Sequence, residues 1–255
     1  MININSNKNK LISNKHTPFL IGYLLAGYKD NEDCLNTIKN IPNNTIDVLE
    51  LGFPSNNPYS DGKVIFDAHS IVDKEIASSV HYWKKIRDVC DYPIWLMAYK
   101  DDFITTGIYK EFAKMNLIDA IVIPDSDNEE RIKLQKELKD YHIDVIGFVN
   151  PSMSEKQLDQ VLTNFTFIYE QLYVGVTGSN HSQTNFESML NYTLNKYPNT
   201  IPFAGFGLNN KEKLEIVYQK GFKGAVIGTE LLKRYNTSKE ELYNFLIEVS
   251  RSKVK

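Results

Sequence analysis

Two cysteines, Cys34 and Cys90, are all that the 255 residues contain. One pair supports neither a disulfide framework nor a thiolate metal cluster, and it points to a reducing, cytosolic setting. A dominant charge is missing too. The 29 Lys and Arg stand against 32 Asp and Glu, a net charge of −3. That balance leaves no basic field for nucleic acid and no cationic face for a membrane surface. No apolar run approaches the roughly 20 residues that cross a bilayer, and the opening MININSNKNKLISNKHT lacks the apolar stretch of a signal peptide. The five histidines, His16, His69, His81, His142 and His181, fall into no metal-binding spacing, so they read as surface or packing residues and no metal is expected. There is no P-loop, no G-x-S-x-G elbow and no G-x-G-x-x-G turn.

What is present is core material. Hydrophobic residues make up 42% of the chain, aromatic residues 12% and charged residues 24%, a composition that folds rather than stays disordered. From Pro18 onward, short β-branched or aromatic runs alternate with amphipathic stretches. The runs are 19–25, 46–51, 93–98, 120–124, 144–149, 165–172, 201–204 and 224–227, and helical patterns at 31–40, 129–141 and 211–221 lie among the segments between them. Several runs are apolar throughout instead of alternating, as strands buried on both faces are. Eight strands, each followed by a helix, predict an α/β fold, a single (β/α)₈ TIM barrel spanning 1–255. An open doubly wound sheet is the alternative, but the first turn, Leu25-Ala26-Gly27-Tyr28-Lys29-Asp30, lacks its glycine fingerprint. Residues 1–17 read as a polar segment, partly helical or frayed.

A barrel places its chemistry at the C-terminal ends of the strands. Glu50 ends the apolar run Val48-Leu49-Glu50-Leu51, where a carboxyl group is costly and holds a raised pKa. Asp61 follows across a loop containing Pro54 and Pro58. Two carboxyls in different environments can divide acid and base roles; an internal salt bridge for Glu50 and a helix cap for Asp61 are the other possibility. Gly205-Phe206-Gly207 after the seventh run and Gly228-Thr229 after the eighth suit a phosphate held on backbone N–H groups, or simply tight turns. Gly175-Val176-Thr177-Gly178 reads as a lid or an ordinary loop.

Taken in order, Glu50-Leu51-Gly52-Phe53-Pro54, Asp61-Gly62, Leu96-Met97-Ala98-Tyr99, Ile123-Pro124-Asp125, Gly175-Val176-Thr177-Gly178 and Gly205-Phe206-Gly207 resemble the tryptophan synthase alpha subunits. The resemblance runs from about Pro18 to Tyr235. It implies retro-aldol cleavage of indole-3-glycerol phosphate to indole and glyceraldehyde 3-phosphate, without a cofactor in this chain. By position, Glu50 resembles the catalytic acid/base and Asp61 the carboxylate that accepts the indole N–H. Tyr23, Met97, Tyr99 and Tyr169 would surround the indole, and Thr177 would close near Asp61. Gly178, Phe206, Gly207, Gly228 and Thr229 resemble the phosphate shell. The implied partner is a beta subunit carrying pyridoxal phosphate, in an alpha-beta-beta-alpha complex in the cytoplasm.

The departures cluster in loops. Ser55-Asn56-Asn57-Pro58 replaces Phe-Ser-Asp-Pro, so Asn57 stands where the family has an Asp that communicates with the beta subunit. Tyr28-Lys29 replaces Asp-Pro, and Ser126-Asp127 replaces Leu-Pro. These changes keep two other roles open: a lyase acting alone and releasing free indole, or a weak catalyst that serves to activate a beta subunit. The retained Glu50 and Asp61 argue against the second.

Overall fold

The computed structural model describes residues 4–59, 61–173 and 186–253. Its strands are β1 (Phe19–Leu25), β2 (Val48–Gly52), β3 (Ile94–Met97), β4 (Ala120–Val122), β5 (Asp144–Val145), β6 (Gly147–Val149), β7 (Phe167–Gln171), β8 (Ile201–Gly205) and β9 (Gly224–Ile227). All eight predicted runs form strands; the fifth is divided at Ile146 into β5 and β6. The order β5-β4-β3-β2-β1-β9-β8-β7-β6 is parallel throughout. Because β5 and β6 are the two halves of one run, the sheet curls into a barrel that closes through it. The Ile146 N–H still bonds the Ile121 carbonyl at 3.0 Å, which carries the β4 edge across the break.

Each strand buries two faces. Phe19, Ile21, Val48, Trp95, Val122, Phe148, Phe167, Tyr169 and Phe203 fill the barrel interior. Leu20, Leu24, Leu49, Leu51, Leu96 and Ile121 pack outward beneath the helices. The interior is dense in rings: Trp95 meets Phe167 and Phe203 at 5.1 and 5.3 Å between centroids, in tilted and edge-on geometry, the arrangement that ring quadrupoles favour. Trp83 lies in the outer core, with its indole N–H donating to the Ala77 carbonyl at 2.8 Å.

Of the two possibilities for the N-terminal segment, the structure has the helical one. Asn7–Ser13 is a helix capped by Ser6. It plugs the bottom of the barrel, with Ile4 and Ile12 joining the interior cluster. Asp144 accepts the Asn5 and Ser6 backbone N–H groups at 2.7 and 3.2 Å and the Asn9 amide at 2.8 Å. The Trp95 indole N–H donates to the Asn9 side-chain oxygen at 2.9 Å. An amphipathic reading of 129–141 misses two features: in the helix Asn128–Leu138, Arg131 is buried with Leu134 and Leu138, and beyond it Tyr141 is exposed. The Arg131 guanidinium donates to the Ile123 and Pro124 carbonyls at the end of β4 and lies over the Phe148 ring.

The loop departures have local partners. Asp127 forms a capping box with Glu130 at the start of Asn128–Leu138, a reciprocal pair that satisfies otherwise orphaned N–H groups. Tyr28 donates to Asn236 and meets the Tyr235 ring edge-on, while Lys29 stands over the same ring.

Glu170 on β7 is fully buried, and neither carboxyl oxygen has a hydrogen-bond partner. Thr193 faces it, but that hydroxyl donates to the Met189 carbonyl at 3.1 Å. Burial pushes the carboxyl up to about 7 from an ordinary 4.5. Its folded pKa lies above its unfolded one, so its contribution is complete below pH 4.5 and lost as pH rises through 7. Glu170→Leu is expected to raise stability at pH 8 by roughly 3 kcal/mol, and by less at pH 5. Thermal melts at the two pH values check this; an equal or absent gain would show that Glu170 is accommodated as an anion.

Candidate active site

Glu50 and Asp61 reach the barrel mouth by different routes. Glu50 is the third residue of β2, opposite Tyr23 of β1 and Trp95 of β3 in register. Strand parity turns it inward with Val48, and only 4% of it is exposed. Asp61 sits in the loop between β2 and the helix Lys63–Ile71. That helix is capped by Gly62 without a side-chain bond, so Asp61 is not its cap. Among the described residues no Lys, Arg or His forms an ion pair with Glu50, which removes the salt-bridge alternative there.

The two carboxyls interact. Burial, and then the negative charge of Asp61, push Glu50 up to about 8. A carboxylic acid in this state carries its proton at neutral pH and can give it away there. Asp61 accepts a hydrogen bond from the Tyr99 hydroxyl at 2.8 Å. Tyr99 follows β3 as the residue before the helix Lys100–Phe103, and Tyr59 packs against its ring at 5.1 Å.

Tyr23 and Tyr169 approach the carboxyls from either side. Both are buried, and both phenols are raised well above 10 by burial and by the charges of Glu50 and Asp61. Each lies over a glycine on the next strand. A Cβ on Gly52 would come within 2.4 Å of the Tyr23 hydroxyl, and one on Gly205 within 2.1 Å of the Tyr169 ring. These glycines are seats for tyrosines, a requirement of space and not of backbone angle. Met97 ends β3, half-buried against the interior cluster.

The late loops hold Phe206 and Gly207 in succession at φ +75° and +77°, a conformation unusual for Phe. Phe206 meets Tyr169 and Tyr173 edge-on, at 5.9 and 5.6 Å between centroids. Gly228 begins the helix Thr229–Thr237 with no side-chain cap, so its first N–H groups are not taken by a cap and face the end of β9, as an anion site requires. The Tyr23 ring lies beside Gly228, 3.7–3.8 Å from where a Cβ would stand. Asp61 is thus tied to Tyr99 by a hydrogen bond, and Tyr23, opposite Glu50 in register, packs beside Gly228. Thr177 and Gly178 lie outside the described residues.

Two residues support the site: His69, read from the sequence as a surface or packing residue, and Asp125, noted there only within Ile123-Pro124-Asp125. His69 is buried, with burial lowering its pKa to about 4, and its neutral Nδ1 accepts the Ser55 N–H at 3.0 Å. It thus ties the Asn-rich loop to the helix Lys63–Ile71. Asp125 accepts the Lys100 N–H at 3.0 and 3.1 Å, capping the helix after Tyr99. Asp125 was signalled by its place after the run 120–124; the His69 pairing with Ser55 carried no signal.

The family model described as tryptophan synthase alpha chain matches residues 10–254. The chain is similar to the tryptophan synthase alpha chain of Caldicellulosiruptor saccharolyticus, 31% identical over 229 residues, covering 89% of this chain and 90% of that protein. It is also similar to that of Helicobacter pylori, 29% identical over 220 residues and 84% of each. Its fold is similar to that in a structure of Mycobacterium tuberculosis tryptophan synthase, with a TM-score of 0.84 at 18% identity over 98% of this chain and 99% of the other. A structure of tryptophan synthase subunit alpha from Campylobacter jejuni gives 0.77 at 22% identity, over 92% and 96%.

Proposed function

We infer the reaction from one premise: the chain belongs to the tryptophan synthase alpha chain family. It is the alpha-subunit lyase of tryptophan biosynthesis, acting on indole-3-glycerol phosphate. For the residues we propose the following. Glu50, neutral before the reaction, gives its proton to C3 of the indole ring. The carboxylate so formed takes the proton of the hydroxyl on the carbon attached to C3. The C–C bond then breaks, the aldehyde forms, and the bonding electrons return to the ring as indole. Asp61, held by Tyr99, accepts the ring N–H and stabilises the positive charge that C3 protonation creates. Met97, Tyr99 and Tyr169 wall the ring, with Tyr23 beside them and Thr177 closing over it; Gly178, Phe206, Gly207, Gly228 and Thr229 hold the phosphate. Pyridoxal phosphate belongs to a beta partner, joined in an alpha-beta-beta-alpha complex in the cytoplasm, and residues 1–255 act as one domain.

The observation that carries the chemistry is a buried Glu50 beside a hydrogen-bonded Asp61. The test is indole release from indole-3-glycerol phosphate, with and without a beta subunit, across about pH 6 to 10. kcat/KM is expected to fall above pH 8 as Glu50 loses its proton. Asp61→Asn removes a neighbouring negative charge, so Glu50 gives up its proton more easily and the residual activity falls at a lower pH. An alkaline limb unmoved by Asp61→Asn would separate Glu50 from that limb.

A further inference from the structure

The Tyr23 hydroxyl is an anomaly. It is buried, it stands opposite Glu50 in the β1–β2 register, and it has no hydrogen-bond partner. Buried hydroxyls ordinarily find one. Its seat is built for it: Gly52 leaves the space its oxygen occupies, where a Cβ would stand 2.4 Å away. The groups whose charges reach it are Asp61 from the loop after β2, Glu50 from β2 and Tyr99 from the end of β3. Asp61 already accepts the Tyr99 hydroxyl.

We propose that Tyr23 is a positioning residue for the reaction assigned to this site: its phenol donates a hydrogen bond to the Glu50 carboxylate in the interval when Glu50 has lost its proton. This deepens the reading of Glu50 as acid and base and rests on it. The logic is one of charge. A neutral Glu50 in an apolar barrel makes little demand on a donor, so the phenol is idle. Once the proton has gone to the ring, a buried anion stands two residues along β2 from the phenol's seat at Gly52. A donor already there favours that anion and turns the carboxylate toward the hydroxyl it must deprotonate. The phenol keeps its own proton throughout, since burial and both carboxyls disfavour its anion.

Tyr23→Phe tests this, because it removes one oxygen and keeps the ring. With indole-3-glycerol phosphate, kcat is expected to fall by roughly tenfold or more, the scale of a hydrogen bond to a charged group. KM should stay within about twofold, as expected when only a state beyond substrate binding loses support. The alkaline limb of kcat/KM should move up by about one pH unit, because the ionised form of Glu50 has lost a donor. The variant should melt no lower than the parent, since no existing hydrogen bond is lost. Gly52→Ala is the second variant. Its Cβ would stand 2.4 Å from the phenol oxygen, so it should displace the hydroxyl, move the limb the same way, and add little to Tyr23→Phe. A limb and kcat unchanged by Tyr23→Phe, or a loss confined to KM, overturns the role of Tyr23 alone. No indole release from the parent protein at any pH overturns the assignment of Glu50 and this proposal together.

Discussion

Glu50→Gln is expected to reduce indole release by roughly 10²–10⁴-fold while substrate still binds. The range is that of a positioned general acid–base group. Gln keeps the shape and the burial of Glu50 but can neither deliver a proton to carbon nor take one from a hydroxyl. The barrel should tolerate it, because the parent residue already sits there uncharged at neutral pH, raised to about 8. Steady-state kinetics give the fall in kcat, and calorimetric titration with substrate gives the retained affinity. Turnover close to that of the parent would remove Glu50 from the chemistry.

The largest effect on stability is expected at the other end of the barrel. Asp144→Ala leaves the Asn5 and Ser6 N–H groups and the Asn9 amide without their acceptor. Buried donors stranded in this way cost about 1–3 kcal/mol each. Undocking of the segment caps the total, so a loss of roughly 3 kcal/mol and a melting temperature about 6–12 °C lower are expected. Asp144→Asn keeps one acceptor oxygen and should lose less. Well below the melting temperature indole release should be unchanged, because Asp144 starts β5 at the end of the barrel away from Glu50. Calorimetry and limited proteolysis of the N-terminal segment report both effects; a melting temperature within about 2 °C of the parent would show the plug to be ornamental.

The barrel was legible because its strands are short, apolar throughout and regularly spaced, a pattern that burial on both faces dictates. Glu50 was legible only as a choice: a carboxyl inside such a run is either functional or salt-bridged, and among the described residues the structure shows no ion pair to it. The plug was not, since Ile4, Asn9 and Ile12 are too few and too scattered for a periodicity, and what buries Asn9 is a polar partner 135 positions away. Nothing in the sequence marks Arg131 as buried; the carbonyls at the end of β4 supply the acceptors that make its burial possible. Gly205 was open to reading as a tight-turn residue and Gly52 carried no reading of its own; only the structure shows tyrosines leaning over them. The fit of the 10–254 family match to that sequence resemblance lies in the ordered motifs, each weak alone, which a periodicity argument does not use.

The plug has a consequence for how the chain is made. Its side chains and backbone engage Asp91, Tyr92, Trp95, Asp119, Ile143 and Asp144, all in the first five strands or the loops beside them. The segment is made before the strands it plugs, and its principal acceptor follows 139 residues later, which at common elongation rates is roughly 7–30 s of synthesis. Until then Ile4 and Ile12 have nothing to cover. Once β5 has emerged, the segment can latch the half-barrel from below while β6 to β9 are still being translated. The nascent chain thus gains a floor before it has its remaining walls, and the strands that follow are added to a template already sealed at one end.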